Sequence, residues 1–167
     1  VFVFFAGAGA AKFVKDYAAA GLNKSIPLYG PGFLTDGNLD AMGDAGKGVQ
    51  TTLHYADGLD SKKDKDFRLA YVKAYKQQPD VYAVQGYDAA QLYNFGLKAA
   101  AGDVGNQDAV IKGMEAAKID SPRGTFTLSK AHNPVQDIYL REVVGGQNKV
   151  VSTAVKGLSD PARGCKL

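Results

Sequence analysis

The segment that most constrains the fold is Val1 to Tyr17, VFVFFAGAGAAKFVKDY. Five β-branched or aromatic residues run directly into small residues, and apolar positions then recur at helical spacing. This pattern predicts a buried parallel strand, a tight turn around Gly7 and a helix. In an open α/β sheet such a turn lies at the carboxyl end of a strand, where ligands bind, and the helix start offers free N–H groups.

The same turn contains part of a dinucleotide-binding motif. Gly7 and Gly9 match the first two glycines of G-x-G-x-x-G, but the third position is Lys12. A bulky side chain there conflicts with close helix–strand packing, and the next predicted strand, residues 26–29, lacks a terminal acid for a ribose hydroxyl. We therefore favour a generic strand-to-helix turn, or a loop for another kind of ligand, over a nucleotide site.

Composition and motifs argue against several classes of function. Of the 167 residues, 46% are apolar and 22% charged, which is ordinary for a globular domain. The net charge of +3 comes from scattered Lys and Arg, so no basic stripe indicates nucleic acid. His54 and His132 lie far apart, and no nucleophile, zinc or Walker motif occurs. The sequence predicts no catalytic residues, no metal and no cofactor.

The second strand ends in the turn Gly30-Pro31-Gly32-Phe33. The Phe33 ring either packs beneath this loop or forms an aromatic wall for a ligand. Thr35 or Asp36 is expected to cap a short helix over residues 38–45.

A second strand–glycine–helix pattern begins at residue 80. Residues 80–85 are predicted to form a strand that Gly86 ends, and Asp88 is predicted to cap the following helix. Tyr87 would then stand at the mouth of the strand, where its ring and hydroxyl can meet a ligand.

Local signals define the other elements. They are a strand over 48–55, a helix capped by Ser61 with Asp64, a helix from Asn106 or Gln107, a strand over 125–128, and a hairpin of residues 137–144 and 149–154. Polar segments at 56–63 and 131–134 are candidate hinges or domain crossings.

The chain opens on Val1, inside a predicted central strand. We therefore expect a fragment, or one part of a cleaved protein, whose N-terminal portion is missing. Cys165 is the only cysteine. It is either an unpaired thiol or the disulfide partner of a cysteine in that missing portion of an exported protein.

Several motifs in order resemble the periplasmic substrate-binding proteins of ABC importers, closest to the branched-chain amino-acid (Leu/Ile/Val) binding type. They are the turn after VFVFF, IPLYGPGF, GDAGKGVQTTLHY, YDAA, and SPRGTF leading to AHNPVQDIYLREV. The resemblance implies an α/β, type I periplasmic-binding-protein fold, in which Rossmann-like parallel sheets flanked by helices form two lobes. This chain would be its C-terminal portion.

The resemblance also implies a division into lobes. Residues 1–55 would belong to the C-terminal lobe, and residues 56–127 to the N-terminal lobe. Residues 128–167 would supply a crossing, a return hairpin to the C-terminal lobe and a tail.

Site residues implied by the resemblance are Phe5, Ala6, Gly7, Gly32, Phe33 and Tyr87. The turn at Phe5-Ala6-Gly7 matches a position where the family uses an aromatic ring and backbone groups, and Tyr87 matches a tyrosine of the cleft. At Gly32, amino-acid binders carry a glutamate that pairs with the ligand's ammonium. Its absence favours an aromatic or other apolar carboxylate, as in the family's aromatic-acid binders.

The function implied is ligand capture for transport rather than turnover. The expected partners are a small carboxylate, an ABC permease in the inner membrane and the missing N-terminal portion, in the periplasm and without nucleic acid. Alternatives from other classes are a sensory or regulatory ligand-binding domain of the same fold, and a nucleotide-dependent Rossmann-like enzyme.

Overall fold

A computed structural model describes residues 1–164, so the predictions about Cys165 lie outside the described residues. The chain forms two compact units. The first contains Val1–Leu59 and Ile138–Val155, and the second contains Asp60–Asp137 and the described residues from Lys156 onward. The chain therefore passes between units after Leu59, Asp137 and Val155.

Five α-helices, five strands and three 3₁₀ turns make up the regular structure of the described residues. The helices are α1 Gly7–Ala19, α2 Leu39–Met42, α3 Lys62–Tyr75, α4 Val81–Ala99 and α5 Gln107–Glu115. The strands are β1 Tyr29–Pro31, β2 Gln50–Leu53, β3 Thr127–Leu128, β4 Pro134–Val144 and β5 Gln147–Leu158. Strands β4 and β5 each contain residues of both units.

The sheet of the first unit is mixed. Strand β1 pairs with β2 in parallel, β2 pairs with β4 in antiparallel register with Thr51 opposite Arg141, and β5 pairs with β4. Gly145 and Gly146, at the β4–β5 turn, have φ values of 60° and 74°. Such a two-residue turn requires positive φ at both positions, which explains the two glycines. The predicted hairpin is therefore confirmed.

Helix α1 covers this sheet and supplies the centre of the core. Its predicted apolar stripe is confirmed, because Ala10, Val14 and Tyr17 are buried on one face. They pack with buried side chains from the rest of the unit, namely Leu28, Leu34, Met42, Val49 and Val143.

The segment Val1–Phe5 forms a single parallel bridge, Phe2 with Tyr29, instead of the predicted strand, and it is not buried as predicted. Val3 N donates to Tyr29 O at 2.9 Å, and Tyr29 N donates to Val1 O at 2.8 Å. Val3 packs against the core, whereas Phe2 and Phe4 are 70% and 74% exposed. Successive side chains of a strand point to opposite faces, and the described part of this unit leaves the Phe2 and Phe4 face largely open.

The helix predicted over residues 38–45 is shorter and is capped differently. Two 3₁₀ turns, Gly32–Leu34 and Gly43–Gly46, flank the single turn of α2. Gly43 has a φ of 55°, which interrupts the helix. Asn38, not Thr35 or Asp36, occupies the N-cap position, and the helix has no side-chain cap hydrogen bond. The cap prediction was wrong because both side chains form longer-range hydrogen bonds.

The strand predicted over residues 80–85 is wrong, since α4 already begins at Val81. Asp80 caps this helix, and its Oδ1 accepts from Ala83 N at 2.9 Å. Val81, Val84 and Asp88 are buried at helical spacing. Gly86 is therefore inside a helix, and Asp88 is a buried residue rather than a cap.

In the second unit, local signals located α3 and α5 correctly. Ser61 Oγ accepts from Asp64 N at 3.0 Å at the start of α3, and Asn106 caps α5. Two glycines allow α4 and α5 to approach closely, because a Cβ at Gly113 would lie 2.5 Å from Ala99 Cβ and one at Gly96 would lie 2.8 Å from Val110. Across the described residues, no helix combines the length and apolar character needed to span a bilayer.

Candidate functional site

Three aromatic side chains lie near the start of α1 in the first unit and are here called the aromatic surface: Phe4 and Phe5, which are exposed, and Phe33, which is half-buried. Phe4 meets Phe33 edge-on, with ring centroids 4.9 Å apart. Phe5 stacks on Phe13 of α1 at 5.0 Å. The parallel pairing of Val1–Val3 with Tyr29 explains this placement, because the carboxyl ends of neighbouring parallel strands lie at one edge of a sheet.

The turn after Phe5 leaves the start of α1 without a side-chain cap. Ala6 is the extended N-cap residue, and the first turn of the helix contains no acid. Gly7 has a φ of 58°, a conformation that favours glycine. The predicted residues Ala6 and Gly7 are both exposed. Their surroundings favour negative charge, since N–H groups at a helix start carry the positive end of the dipole.

Gly32 is buried and has no room for a side chain. A Cβ there would lie 2.6 Å from Leu53 Cδ1 and 2.8 Å from Leu53 Cβ. The Gly32 carbonyl accepts from Thr35 Oγ1 at 3.2 Å and from Arg141 Nη2 at 3.3 Å. A glutamate at this position would therefore displace Leu53. The observed geometry gives Gly32 a packing role, and its direct contact with ligand stays a prediction.

A buried arginine that no sequence motif indicated lies beneath this loop. Arg141 Nη2 is 2.6 Å from Asp36 Oδ2 and 2.9 Å from Thr51 Oγ1, and Nη1 donates to Tyr55 O at 2.9 Å. A period-2 signal was available, because Arg141 shares the inward face of β4 with the buried Val143.

A second buried hydrogen bond attaches the same loop to the hairpin. Thr35 Oγ1 donates to Asn148 Oδ1 at 2.8 Å. Asn148 is buried, and its backbone N donates to Asp57 Oδ2 at 3.1 Å. Gly32 and Thr35, on either side of Phe33, are thus held by hydrogen bonds to buried side chains of the same unit.

Tyr87 belongs to the second unit and lies on α4, not at the end of a strand. Its ring centroid is 5.1 Å from that of Phe67, and Lys63 Nζ lies 5.7 Å from the Tyr87 ring. The side chain is 36% exposed and lines a groove of about 400 Å³. The groove is also lined by Phe67, Ala70, Tyr71, Tyr75, Ala83 and Gly86. A hydrogen bond to Asp120 raises the pKa of the Lys63 ammonium.

The SPRGTF segment forms a buried ion pair with α4. Asp88 Oδ2 accepts from Arg123 Nε at 2.8 Å and from Ser121 Oγ at 2.9 Å, and the Arg123 guanidinium lies 4.2 Å from the Phe126 ring centroid. Burial raises the pKa of the Asp88 carboxyl, while these hydrogen bonds oppose the rise. The arrangement fixes the loop after α5 against α4.

The described histidines are not arranged as metal ligands. His132 Nε2 lies 2.9 Å from Glu115 Oε1 at the surface. Within residues 1–164, no group of three or more His, Cys, Asp or Glu side chains is close enough to bind a metal ion together.

Comparison with known proteins gives matches along most of the chain. A family model described as "Periplasmic binding protein" matches residues 1–148. A curated relative, Leu/Ile/Val-binding protein homolog 6 of Brucella abortus (strain 2308), is 35% identical over 138 residues, covering 78% of this chain and 35% of the relative. The chain thus spans about a third of that relative's length.

Two solved structures are similar to this chain in both sequence and fold. A solute-binding protein of an ABC transporter from R. palustris, in complex with benzoate, is 52% identical with a TM-score of 0.93, covering 100% of this chain and 46% of that protein. A solute-binding protein from Rhodopseudomonas palustris BisB5, in complex with 3,4-dihydroxy benzoic acid, is 36% identical with a TM-score of 0.82, covering 97% and 46%.

Proposed function

This chain belongs to the periplasmic binding protein family, and we propose that it is part of a solute-binding protein that captures a small aromatic carboxylate for an ABC transporter. The α/β, type I fold predicted from the sequence is confirmed by the similar structures. The proposed activity is binding without turnover. This activity would belong to the whole protein. The chain spans about half the length of the similar solved structures.

The observation that carries the proposal is the uncharged aromatic surface beside the start of α1. Phe4 and Phe5 are exposed and Phe33 is half-buried, so part of each ring is accessible to a planar apolar ligand. The adjacent helix start has no acidic first turn and therefore does not repel a carboxylate. Similar proteins hold benzoate and 3,4-dihydroxy benzoic acid, which have this combination of ring and acid.

The buried glycine supports an acid over an amino acid. A ligand ammonium taken out of water requires a carboxylate partner. At Gly32 no side chain is present, and Leu53 fills the space that one would need. An apolar acid has no such requirement, so it suits this surface better.

We further propose that the whole protein has two lobes that close around the ligand. Residues 1–55 and the returning hairpin would form part of the C-terminal lobe, and residues 56–127 part of the N-terminal lobe. Ligand captured between the lobes would shift the population towards a closed form that the permease recognises. Tyr87 is the residue that the proposal takes from the second unit, in addition to Phe5, Ala6, Gly7, Gly32 and Phe33.

The proposed partners are those of a transport protein. They are an ABC permease in the inner membrane and the N-terminal portion of the same protein, in the periplasm. The family to which the chain belongs supports this location.

Calorimetric titration of the full-length protein with benzoate tests the site. We expect Phe33→Ala and Tyr87→Ala each to weaken binding by about 1–3 kcal/mol, because each removes an aromatic contact with the ligand. The matched control is Tyr93→Ala, a truncation of an aromatic that is 50% exposed and belongs to none of the predicted positions. Unchanged affinity in Phe33→Ala would remove the aromatic surface from the site, and unchanged affinity in Tyr87→Ala would remove Tyr87.

A further inference from the structure

Arg141 is the most completely buried charged side chain described in the first unit, with 0% of its surface exposed. All three guanidinium nitrogens donate hydrogen bonds. Nε donates to Thr51 Oγ1 at 3.2 Å, and the Nη atoms donate to Asp36, Thr51, Tyr55 and Gly32. The fork geometry of the guanidinium is therefore used in full, which a lysine ammonium does not reproduce.

Two of these partners, Gly32 and Asp36, bracket Phe33. Gly32 O accepts from Arg141, and so does the Asp36 carboxylate. Between them, Thr35 Oγ1 is hydrogen-bonded to both Gly32 O and Asn148 Oδ1. The 3₁₀ turn that presents Phe33 is thus anchored at both ends from inside the unit, and its outer side bears the Phe33 contact with Phe4.

Burial of an ion pair is a poor way to gain stability, since apolar residues of similar volume often serve as well or better. In some proteins, a fully hydrogen-bonded buried pair instead fixes one conformation. Here the fixed element is the turn that carries Phe33. A binding surface needs its rings in one position before ligand arrives, because ordering them on binding weakens affinity.

We propose that Arg141 is a positioning residue for aromatic-acid binding, which acts through Phe33 without touching ligand. The inference rests on the proposed function, because it requires that Phe33 contacts the ligand. In this proposal, the buried Arg141 side chain holds Phe33 in the position in which it contacts the ligand.

A double-mutant cycle in the full-length protein tests the proposal. Benzoate affinity is measured by calorimetry for the wild type, Arg141→Lys, Phe33→Ala and the double variant. We expect Arg141→Lys to weaken binding about tenfold when Phe33 is present, and to have little further effect in Phe33→Ala, because coupled residues are not additive. Equal fold losses in both backgrounds would overturn the proposal.

The matched control is Met42→Ala, which truncates a buried core residue of the same unit and leaves the partners of Arg141 in place. It should lower the melting temperature without changing benzoate affinity. If Arg141→Lys behaves in the same way, its role is structural only and the proposal is wrong.

Thr51→Val is the second variant, for use if Arg141→Lys fails to fold. It removes the hydroxyl that accepts from Nε and Nη2 and keeps a β-branched side chain in β2. The same dependence on Phe33 is expected, with a smaller loss. A wild type that binds no benzoate would overturn the proposed function and this inference together, whereas binding with additive losses would overturn only the inference.

Discussion

Arg141 and Asp36 lie 105 residues apart in the chain, yet they form a two-pronged ion pair, with Nη2 2.6 Å from Oδ2 and Nη1 3.3 Å from Oδ1. Both side chains are buried, with 0% and 6% of their surfaces exposed. The pair joins β4 to the loop after β1. In our proposal this pair fixes the turn that carries Phe33, and no local sequence pattern predicts the contact.

Removing one partner of this pair should strongly destabilise the first unit. Asp36→Ala leaves the Arg141 charge buried without its carboxylate, and we expect a loss of about 3–5 kcal/mol in the free energy of unfolding. Urea denaturation of the full-length protein measures this. Asp16→Ala, which breaks the exposed pair with Lys12 on α1, is the control and should have little effect. Equal effects of the two variants would contradict the account.

Two glycines of the second unit should respond to alanine in opposite directions. Gly86 lies inside α4, and a Cβ there meets nothing within 4 Å. Gly86→Ala should stabilise the unit by about 0.5–1 kcal/mol, because glycine is a poor helix former. Gly113→Ala should destabilise it by about 1–3 kcal/mol, since its Cβ would lie 2.5 Å from Ala99 Cβ. Destabilisation by Gly86→Ala would contradict the open space at this position of α4.

The buried Asp88 should make the stability of the second unit depend on pH. Burial raises the pKa of its carboxyl above the ordinary value of 3.8, although Arg123 and Ser121 hydrogen-bond to it. At pH values between 3.8 and the higher pKa of the folded state, the folded protein keeps a proton on Asp88 that the unfolded chain releases. The contribution of Asp88 to the free energy of unfolding therefore falls as pH rises through this window.

Asp88→Asn provides the comparison, because its amide does not titrate. The difference in unfolding free energy, wild type minus variant, should fall as pH rises from the ordinary pKa of 3.8 and become constant above the folded pKa. Urea denaturation at a series of pH values measures it. A difference that grows with pH over that window would mean that the folded-state pKa is lowered, not raised.

Gly32 should tolerate no side chain. Gly32→Ala is expected to destabilise the first unit by about 1–3 kcal/mol, because the new Cβ overlaps Leu53. Two of the three closest atoms are the Leu53 methyl carbons, so Leu53→Ala should relieve part of this loss. A double-mutant cycle of melting temperatures measures the coupling. Additive effects, or a neutral Gly32→Ala, would show that the loop moves freely.

Features set by neighbouring residues were predictable from the sequence. Helix α1 follows from its apolar stripe, the β4–β5 turn from paired glycines, and the caps at Ser61 and Asn106 from side chains that accept a nearby N–H. Each signal lies within a few residues of its effect, so one short window contains the whole cause.

Features set by distant contacts were not predictable in this way. An aspartate such as Asp36 often caps a helix. Here its carboxylate instead pairs with Arg141 of β4, which is distant in the sequence. The short apolar run after Asp80 fits a strand or a buried helix equally, and packing of Val81 and Val84 decides for the helix. The contact of Phe4 with Phe33 was not predicted either, because it depends on the pairing of Val1–Val3 with Tyr29.

The most direct test of the central claim is calorimetric titration of the full-length protein with benzoate and, separately, with leucine. We expect saturable binding of benzoate with one ligand per protein, and no binding of leucine at the same concentrations, because no carboxylate is available at Gly32 for an ammonium. Binding of leucine without binding of benzoate would contradict it.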